Sequence, residues 1–232
     1  KQDRVGYLND RRTRLYVFDI DKKEATLLTP GPYDNSDPVW GPDSDIIAFT
    51  SKRGEDPDRH INTDIYVIEA KPDAKPRQVT TWVGADSSPA FSPDGKTIAY
   101  LRGGPVKYAW YDPDQIATVS VEGGDERVVN PNYGQYVYSP RWSRDGKALY
   151  FLVEDDRITS LASMALTGGE PEILFPTRSQ PGVARSFEVG AKGIAALVTF
   201  PQRPAEIYRV EDAAALTEHN QEFRYSIEWG SV

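Results

Sequence analysis

The chain is expected to be all-β, a β-propeller of four-stranded antiparallel blades. Three observations predict it. A strand–turn–strand hairpin recurs at near-constant spacing, four strand-like segments fit each repeat, and no long amphipathic helix interrupts them. Self-similarity at a fixed period of this size marks a repeat architecture. Four short antiparallel strands per repeat describe a propeller blade.

The hairpin is clearest at residues 89–100, PAFSPDGKTIAY. Phe91 leads into the turn, Pro93 pre-sets φ at its first central position, and Asp94 suits the second. Gly95 takes the left-handed conformation that a residue with a Cβ resists. Such a loop ties two strands at fixed register. Residues 140–151, PRWSRDGKALYF, repeat the pattern with Trp142 as the aromatic and Asp145-Gly146 in the turn. Residues 38–49, PVWGPDSDIIAF, are a third copy with Trp40 as the aromatic. That copy has Ser44 where the glycine is expected, so its turn must bend differently or carry strain. A fourth, degenerate copy spans 186–198, with Phe187 as the aromatic and Gly190-Ala191-Lys192-Gly193 as the turn. From Trp40 to Phe91, Trp142 and Phe187 the successive spacings are 51, 51 and 45 residues.

The repeats divide the chain into a partial blade at 1–37 and blades at 38–88, 89–139, 140–182 and 183–217, with a linker at 218–232. The first unit supplies strands near 5–8, 15–20 and 25–28. The later outer strands fall near 64–68 and 77–80, 116–121 and 126–129, 161–166 and 172–175, then 206–210 and 215–217. The stretch 212–216 could instead form one helical turn. Four full units and three strands of a fifth read as a segment of a larger propeller, with a closed five-bladed ring as the alternative.

Composition narrows the function classes. With 27 Lys plus Arg against 35 Asp plus Glu, the net charge of −8 argues against a nucleic-acid backbone or an anionic membrane as partner. The absence of cysteine excludes a disulfide framework, a thiol nucleophile and a thiolate metal site. No apolar run approaches the ~18 residues of a membrane span. The compartment is left open, with a cytoplasmic one favoured.

Sorting the connections by blade geometry separates two faces. One has tight turns at 92–95, 122–125, 143–146 and 167–170. The other has long inserts at 51–63 and 102–114 and blade crossings at 81–88 and 130–139. Aromatics gather on this second face: Tyr33, Trp82, Tyr108, Trp110, Tyr111, Tyr133, Tyr136 and Tyr138. Long loops on a rigid scaffold are where binding concentrates, and Trp and Tyr are favoured at interfaces. These eight are the candidate substrate- or domain-facing residues.

Catalytic motifs are missing. There is no G-x-S-x-G elbow, no phosphate loop and no H-E-x-x-H. His60 and His219 have no nucleophile recognisable near them in sequence and read as surface residues. Asp56, Asp58, His60, Asn62 and Asp64 alternate like a calcium loop, but lack its central glycine and closing glutamate. They read as a solvated insert. Asp94 and Asp145 are turn residues. No catalytic residue, metal site or cofactor is expected.

The stretch NDRRTRLYVFDI, the run NSDPVWGPDSDIIAFTSKRGEDPD followed by INTDIYV, and GADSSPAFSPDGKTIAYL resemble the propeller of the prolyl oligopeptidase family, in its acylaminoacyl-peptidase and dipeptidyl-peptidase branch. The tail ALTEHNQEF, 215–223, is similar to the close of the last blade in that family. The resemblance implies a seven-bladed parent, of which this chain lacks about two blades and an α/β-hydrolase domain that would carry the catalytic Ser, Asp and His. It also implies a propeller that screens the active site and admits short or unfolded peptides. The hydrolase domain and peptide substrates are the partners so implied. The SPDG-type hairpin is shared with the Tol-associated periplasmic propeller, so a free-standing protein-binding module is the alternative. A propeller lyase or glycosidase would need carboxylates or histidines clustered on the inner strands, which carry aromatics and alanines instead. Unpaired blade edges lead us to expect association with another copy or with the missing part of the same polypeptide.

Overall fold

The computed structural model describes residues 11–54, 57 and 60–226. The strand expected at 5–8, and Asp56 and Asp58 of the calcium-like pattern, lie outside the described residues. The chain divides into two compact units, Lys1–Asp112 with Thr118–Arg127, and Pro113–Ala117 with Val128–Val232.

A two-stranded ribbon comes first: β1 (Tyr16–Asp19) pairs with β2 (Glu24–Leu27). Next is a four-stranded antiparallel sheet in sequence order, β3 (Asn35–Trp40), β4 (Ile46–Ser51), β5 (Asp64–Glu69) and β6 (Arg77–Gln78). A second such sheet holds β7 (Asp86–Phe91), β8 (Thr97–Arg102), β9 (Gln115–Ser120) and β10 (Arg127–Val128). Then follow β11 (Tyr136–Trp142), β12 (Ala148–Asp155), β13 (Ile158–Ala165) and β14 (Glu172–Phe175). The last set is β15 (Val183–Gly190), β16 (Gly193–Phe200), β17 (Arg203–Arg209) and β18 (Ala214–Ala215). A single parallel pairing, Thr159 with Val183, joins these last two sets into one sheet. The chain then forms one short helix, α1 (Gln221–Ser226). These sheets, each following the strand order of a blade, form part of a β-propeller.

The middle strands β4 and β5 are buried almost without interruption, as expected of strands covered on both faces. In the first unit, Leu15, Leu28, Ile47, Phe49, Tyr66 and Ile68 form one core, with Phe49 and Tyr66 stacked at 5.9 Å between ring centroids. In the second, Leu152, Leu161, Phe175, Phe187, Val198, Phe200 and Tyr208 share another.

Three local devices repeat with the blades. The first is the expected turn. Ser44, Gly95 and Gly146 all have φ near +60 to +70°, and each donates its N–H to the residue three before it, at 2.9–3.0 Å. Ser44 therefore keeps the turn geometry and carries the strain. In the two SxDG copies the serine hydroxyl donates to the aspartate, Ser92 to Asp94 at 2.6 Å and Ser143 to Asp145 at 2.7 Å. In the first copy Gly41 replaces that serine, and Ile46 occupies the space a Cβ there would need.

The second device was not foreseen from the sequence. Asp37, Ser88 and Ser139 have positive φ, each immediately before a proline. The register slips by one residue across each of them, between Ser36 and Val39, Ser87 and Ala90, and Tyr138 and Arg141. Proline has no N–H for the ladder and disfavours a right-handed helical residue before it, so the pair is accommodated as a β-bulge. The signal was legible as the S-D-P, S-S-P and Y-S-P tripeptides that open each hairpin.

The third device closes the short fourth strands. The N–H of Leu15, Ile65, Ile116 and Ile207 donates to the side chain of Thr29, Thr80, Asn130 and Thr217 respectively, at 2.6–3.0 Å. A side-chain oxygen thus extends a ladder whose backbone pairing is only two residues long in three of the four.

Candidate functional site

In the first unit the tight turns meet at one end of the strands: a Cβ on Gly95 would lie 3.2 Å from Pro42 Cγ. At the other end are the insert between β4 and β5, the insert between β8 and β9, and the crossing from β6 to β7. The crossing and the second insert are laced together at their bases. The Trp82 indole N–H donates to the Gly103 carbonyl at 2.8 Å, and Gly103 N–H donates to Ala85 at 2.8 Å. Gly84 is packed so closely that a Cβ there would sit 2.4 Å from the Gly104 carbonyl oxygen.

Beyond that base the insert projects its aromatics. A short 3₁₀ turn, Val106–Tyr108, is followed by bonds from the Tyr111 and Asp112 N–H groups to the Tyr108 carbonyl at 2.8 and 2.9 Å. Trp110 is 85% and Tyr111 79% exposed, with Tyr108 and Val106 also exposed beside them. Exposed rings so grouped are unusual on a surface without a partner.

Tyr33 and Trp82 have a different setting. Each is a platform for an arginine. Arg53 lies 5.0 Å from the Tyr33 centroid and 4.8 Å from that of Tyr66, and bonds Asn35 Oδ1 and Ser51 Oγ at 3.1 Å. Its pKa is lowered by burial. Arg102 stacks 3.4 Å from the Trp82 centroid and pairs with Glu126 Oε2 at 3.4 Å. Cation–π stacking and a mostly enclosed ion pair hold both side chains.

Tyr133, Tyr136 and Tyr138 belong to the second unit. The half-buried Tyr133 phenol is raised by burial, then by Asp155 and Glu170. Tyr136 and Tyr138 are exposed on β11, with Tyr138 donating to Glu154 Oε2 at 3.0 Å. The structure therefore brings together Tyr108, Trp110 and Tyr111 on one insert, and Tyr136 with Tyr138 on one strand.

One constellation was missed from the sequence. Asp86 opens the inner strand β7, among the aromatics and alanines expected there, and is fully buried. Asp64 opens β5 and is also buried, and Glu126 lies nearby beside Arg102. Burial, then Glu126 and Asp64, push Asp86 up to about 8, while Thr80 and Arg102 pull against the rise. Burial and then Glu126 push Asp64 up to about 6. Their signal was faint, since each aspartate reads as an ordinary strand-opening residue. Among the described residues, no group of three or more His, Cys, Asp or Glu side chains is arranged to hold a metal ion. His60 is half-buried, its Nδ1 without a partner among the described residues.

In the second unit a carboxylate explains the ALTEHNQEF tail. Glu206 of β17 accepts bonds from the Thr217 hydroxyl and from Asn220, through its N–H at 2.8 Å and its amide at 3.0 Å. Led by the Thr217 bond, these contacts draw the Glu206 pKa down to about 2. The Thr and Asn of the motif therefore fasten the departing chain to the last blade.

No protein-family model matches the chain. A dipeptidyl-peptidase 5 from Porphyromonas gingivalis is 28% identical over 190 residues, covering 78% of this chain and 27% of the relative. A probable dipeptidyl-peptidase 5 from Arthroderma benhamiae is 31% identical over 182 residues, 68% of this chain and 25% of the relative. With it the chain belongs to the prolyl oligopeptidase family. It spans about a quarter of the length of the curated relatives it matches. An acylaminoacyl peptidase solved in complex with Z-Gly-Gly-Phe-chloromethyl ketone superposes with a TM-score of 0.66 at 17% identity, over 92% of this chain and 32% of that one. TolB from Acinetobacter baumannii also gives 0.66, at 18% identity, over 87% of this chain and 47% of that one. These two likenesses show the fold alone.

Proposed function

We propose that this prolyl oligopeptidase-family propeller is a non-catalytic domain that filters and helps position peptides over an α/β-hydrolase domain of the same polypeptide. The observation that carries the reading is the sequence relationship to dipeptidyl-peptidase 5, which extends over most of the chain. The exposed Tyr108, Trp110 and Tyr111 insert supports it, because rigid aromatic rings on a braced loop suit contact with peptide side chains or with a neighbouring domain. A free-standing protein-binding propeller is the competing reading. Reading the coding sequence after the Val232 codon separates them: a G-x-S-x-G hydrolase domain supports the peptidase, and a stop codon supports the module.

On this reading the purified 232-residue chain does not turn over an acylated amino-acid p-nitroanilide. Turnover that survives repurification and is lost on mutating one residue of this chain would overturn it. The proposal includes association of copies, supported by Tyr16, Phe18 and Ile20, which are exposed on or just after β1. Light scattering is expected to show species larger than the 25.9 kDa monomer. A clean monomer across a wide concentration range would remove that part.

A further inference from the structure

Arg53 follows the end of β4 and carries a guanidinium with donors to spare. Its Nε donates to Ser51 Oγ and one Nη to Asn35 Oδ1, both at 3.1 Å. Three rings surround it, with the Tyr66, Tyr33 and Phe49 centroids 4.8, 5.0 and 5.7 Å from the guanidinium carbon. Both N–H bonds of Nη1 and the second of Nη2 have no acceptor among the described residues.

The partners that orient this fork are themselves fixed. The Asn35 amide nitrogen donates to the Thr13 and Tyr33 carbonyls at 2.9 and 3.1 Å, and Ser51 Oγ donates to the Asp34 carbonyl at 2.8 Å. Asn35, Ser51, Phe49 and Tyr66 are buried, whereas Arg53 and Tyr33 are only partly so. The guanidinium is thus anchored on buried partners and still reachable from solvent.

Its stacked counterpart shows the contrast. Arg102 lies on Trp82 and has Glu126 for an acid. Beside Arg53, the Asp34 carboxylate is already taken, by Arg12 at 3.0 Å and the Thr13 N–H at 2.7 Å. Asp64, paired in register with Ser51, acts on the Tyr66 phenol and makes no ion pair with Arg53. A cation partly withdrawn from water without a counter-charge favours an anion, and a planar fork with free donors matches a carboxylate through two parallel hydrogen bonds.

We propose that Arg53, in its niche of Tyr33 and Tyr66, binds a carboxylate carried by a peptide, at the peptide's C-terminus or on an acidic side chain. The inference rests on the reading that this propeller handles peptides. It requires the fork as well as the charge, which lysine would supply alone.

Calorimetric titration of the full 232-residue chain with tetra-alanine, as the free acid and as the C-terminal amide, tests the site. The acid is expected to bind about tenfold more tightly, the value of one charge-assisted contact. A third peptide, an amide with an internal glutamate, separates the two sources: restored affinity assigns the site to acidic side chains as well, and low affinity to the terminus. Arg53→Lys is expected to lose most of the preference for the acid, and Arg53→Gln all of it. Glu55, Asp56 and Asp58 follow closely in the sequence, and neutralising them together as Glu55→Gln, Asp56→Asn and Asp58→Asn should leave the preference unchanged. A large gain in affinity there would assign the niche to the chain's own acids and overturn the proposal. Equal binding of acid and amide, or an unchanged preference in Arg53→Gln, would overturn it and leave the peptide reading standing. No binding of any of the three peptides would overturn both. Should the Arg53 variants fail to fold, nitrogen-15 NMR of the parent's arginine side chains decides. A guanidinium signal that moves with the acid and not with the amide supports the site, and signals that move equally or not at all refute it.

Discussion

Phe175→Ala is expected to destabilise the second unit by ~3–5 kcal/mol, the range for emptying a buried aromatic site. Phe175 is 3% exposed and forms a closed triangle with Phe200 and Tyr208, with ring centroids 5.9, 5.6 and 5.5 Å apart. The Phe200–Tyr208 contact is edge-on at 83°, and the other two are tilted. Such offset and edge-on pairs add to the value of the buried area itself. The three rings come from β14, β16 and β17, so the cavity would open where separate strands meet, and collapse would require strands to move. Urea denaturation followed by circular dichroism measures the loss, and Phe175→Leu should recover much of it. A cost below about 1 kcal/mol would show that the triangle contributes no more than an ordinary surface contact.

Gly95→Val is expected to cost ~1–3 kcal/mol, with Gly146→Val close behind. Both glycines have φ near +70°, where a β-branched residue is strongly disfavoured. At Gly95 the new Cβ also lies 3.2 Å from Pro42 Cγ, tighter than an ordinary contact. The same turn supplies its own converse. Ser44 already sits at φ +58°, so Ser44→Gly relieves strain and should stabilise by ~0.5–1 kcal/mol, the left-handed penalty less the entropy glycine adds to the unfolded chain. Unfolding midpoints measured side by side read all three. A destabilised Ser44→Gly would mean that its side chain contributes more than its backbone conformation costs.

The hairpins were legible because their determinants are local. A Pro or Arg, an Asp and a Gly in four consecutive residues specify a turn, and alternating apolar residues specify the strands beside it. The family resemblance rests on the same runs. The bulges at Asp37, Ser88 and Ser139 were written just as locally, in a small polar residue before proline, and went unread because strand patterning alone does not count ladder donors. The site was less legible. Tyr33 and Trp82 share composition and loop setting with Trp110 and Tyr111, yet the first pair lies under arginines and the second stands in solvent.

The sequence by itself determined the repeat, its turn and the strand order within each blade, because each depends on residues a few positions apart. Only the tertiary structure decided which polar groups share a dry space. Asp64, Asp86, Arg102 and Glu126 span 62 positions of the chain and have no common pattern in it. Each alone is an ordinary strand-edge residue with an ordinary charge. The folded sheets remove the water around them and place three acids beside one base, and it is this loss of solvent and crowding of like charge that raises the Asp86 pKa.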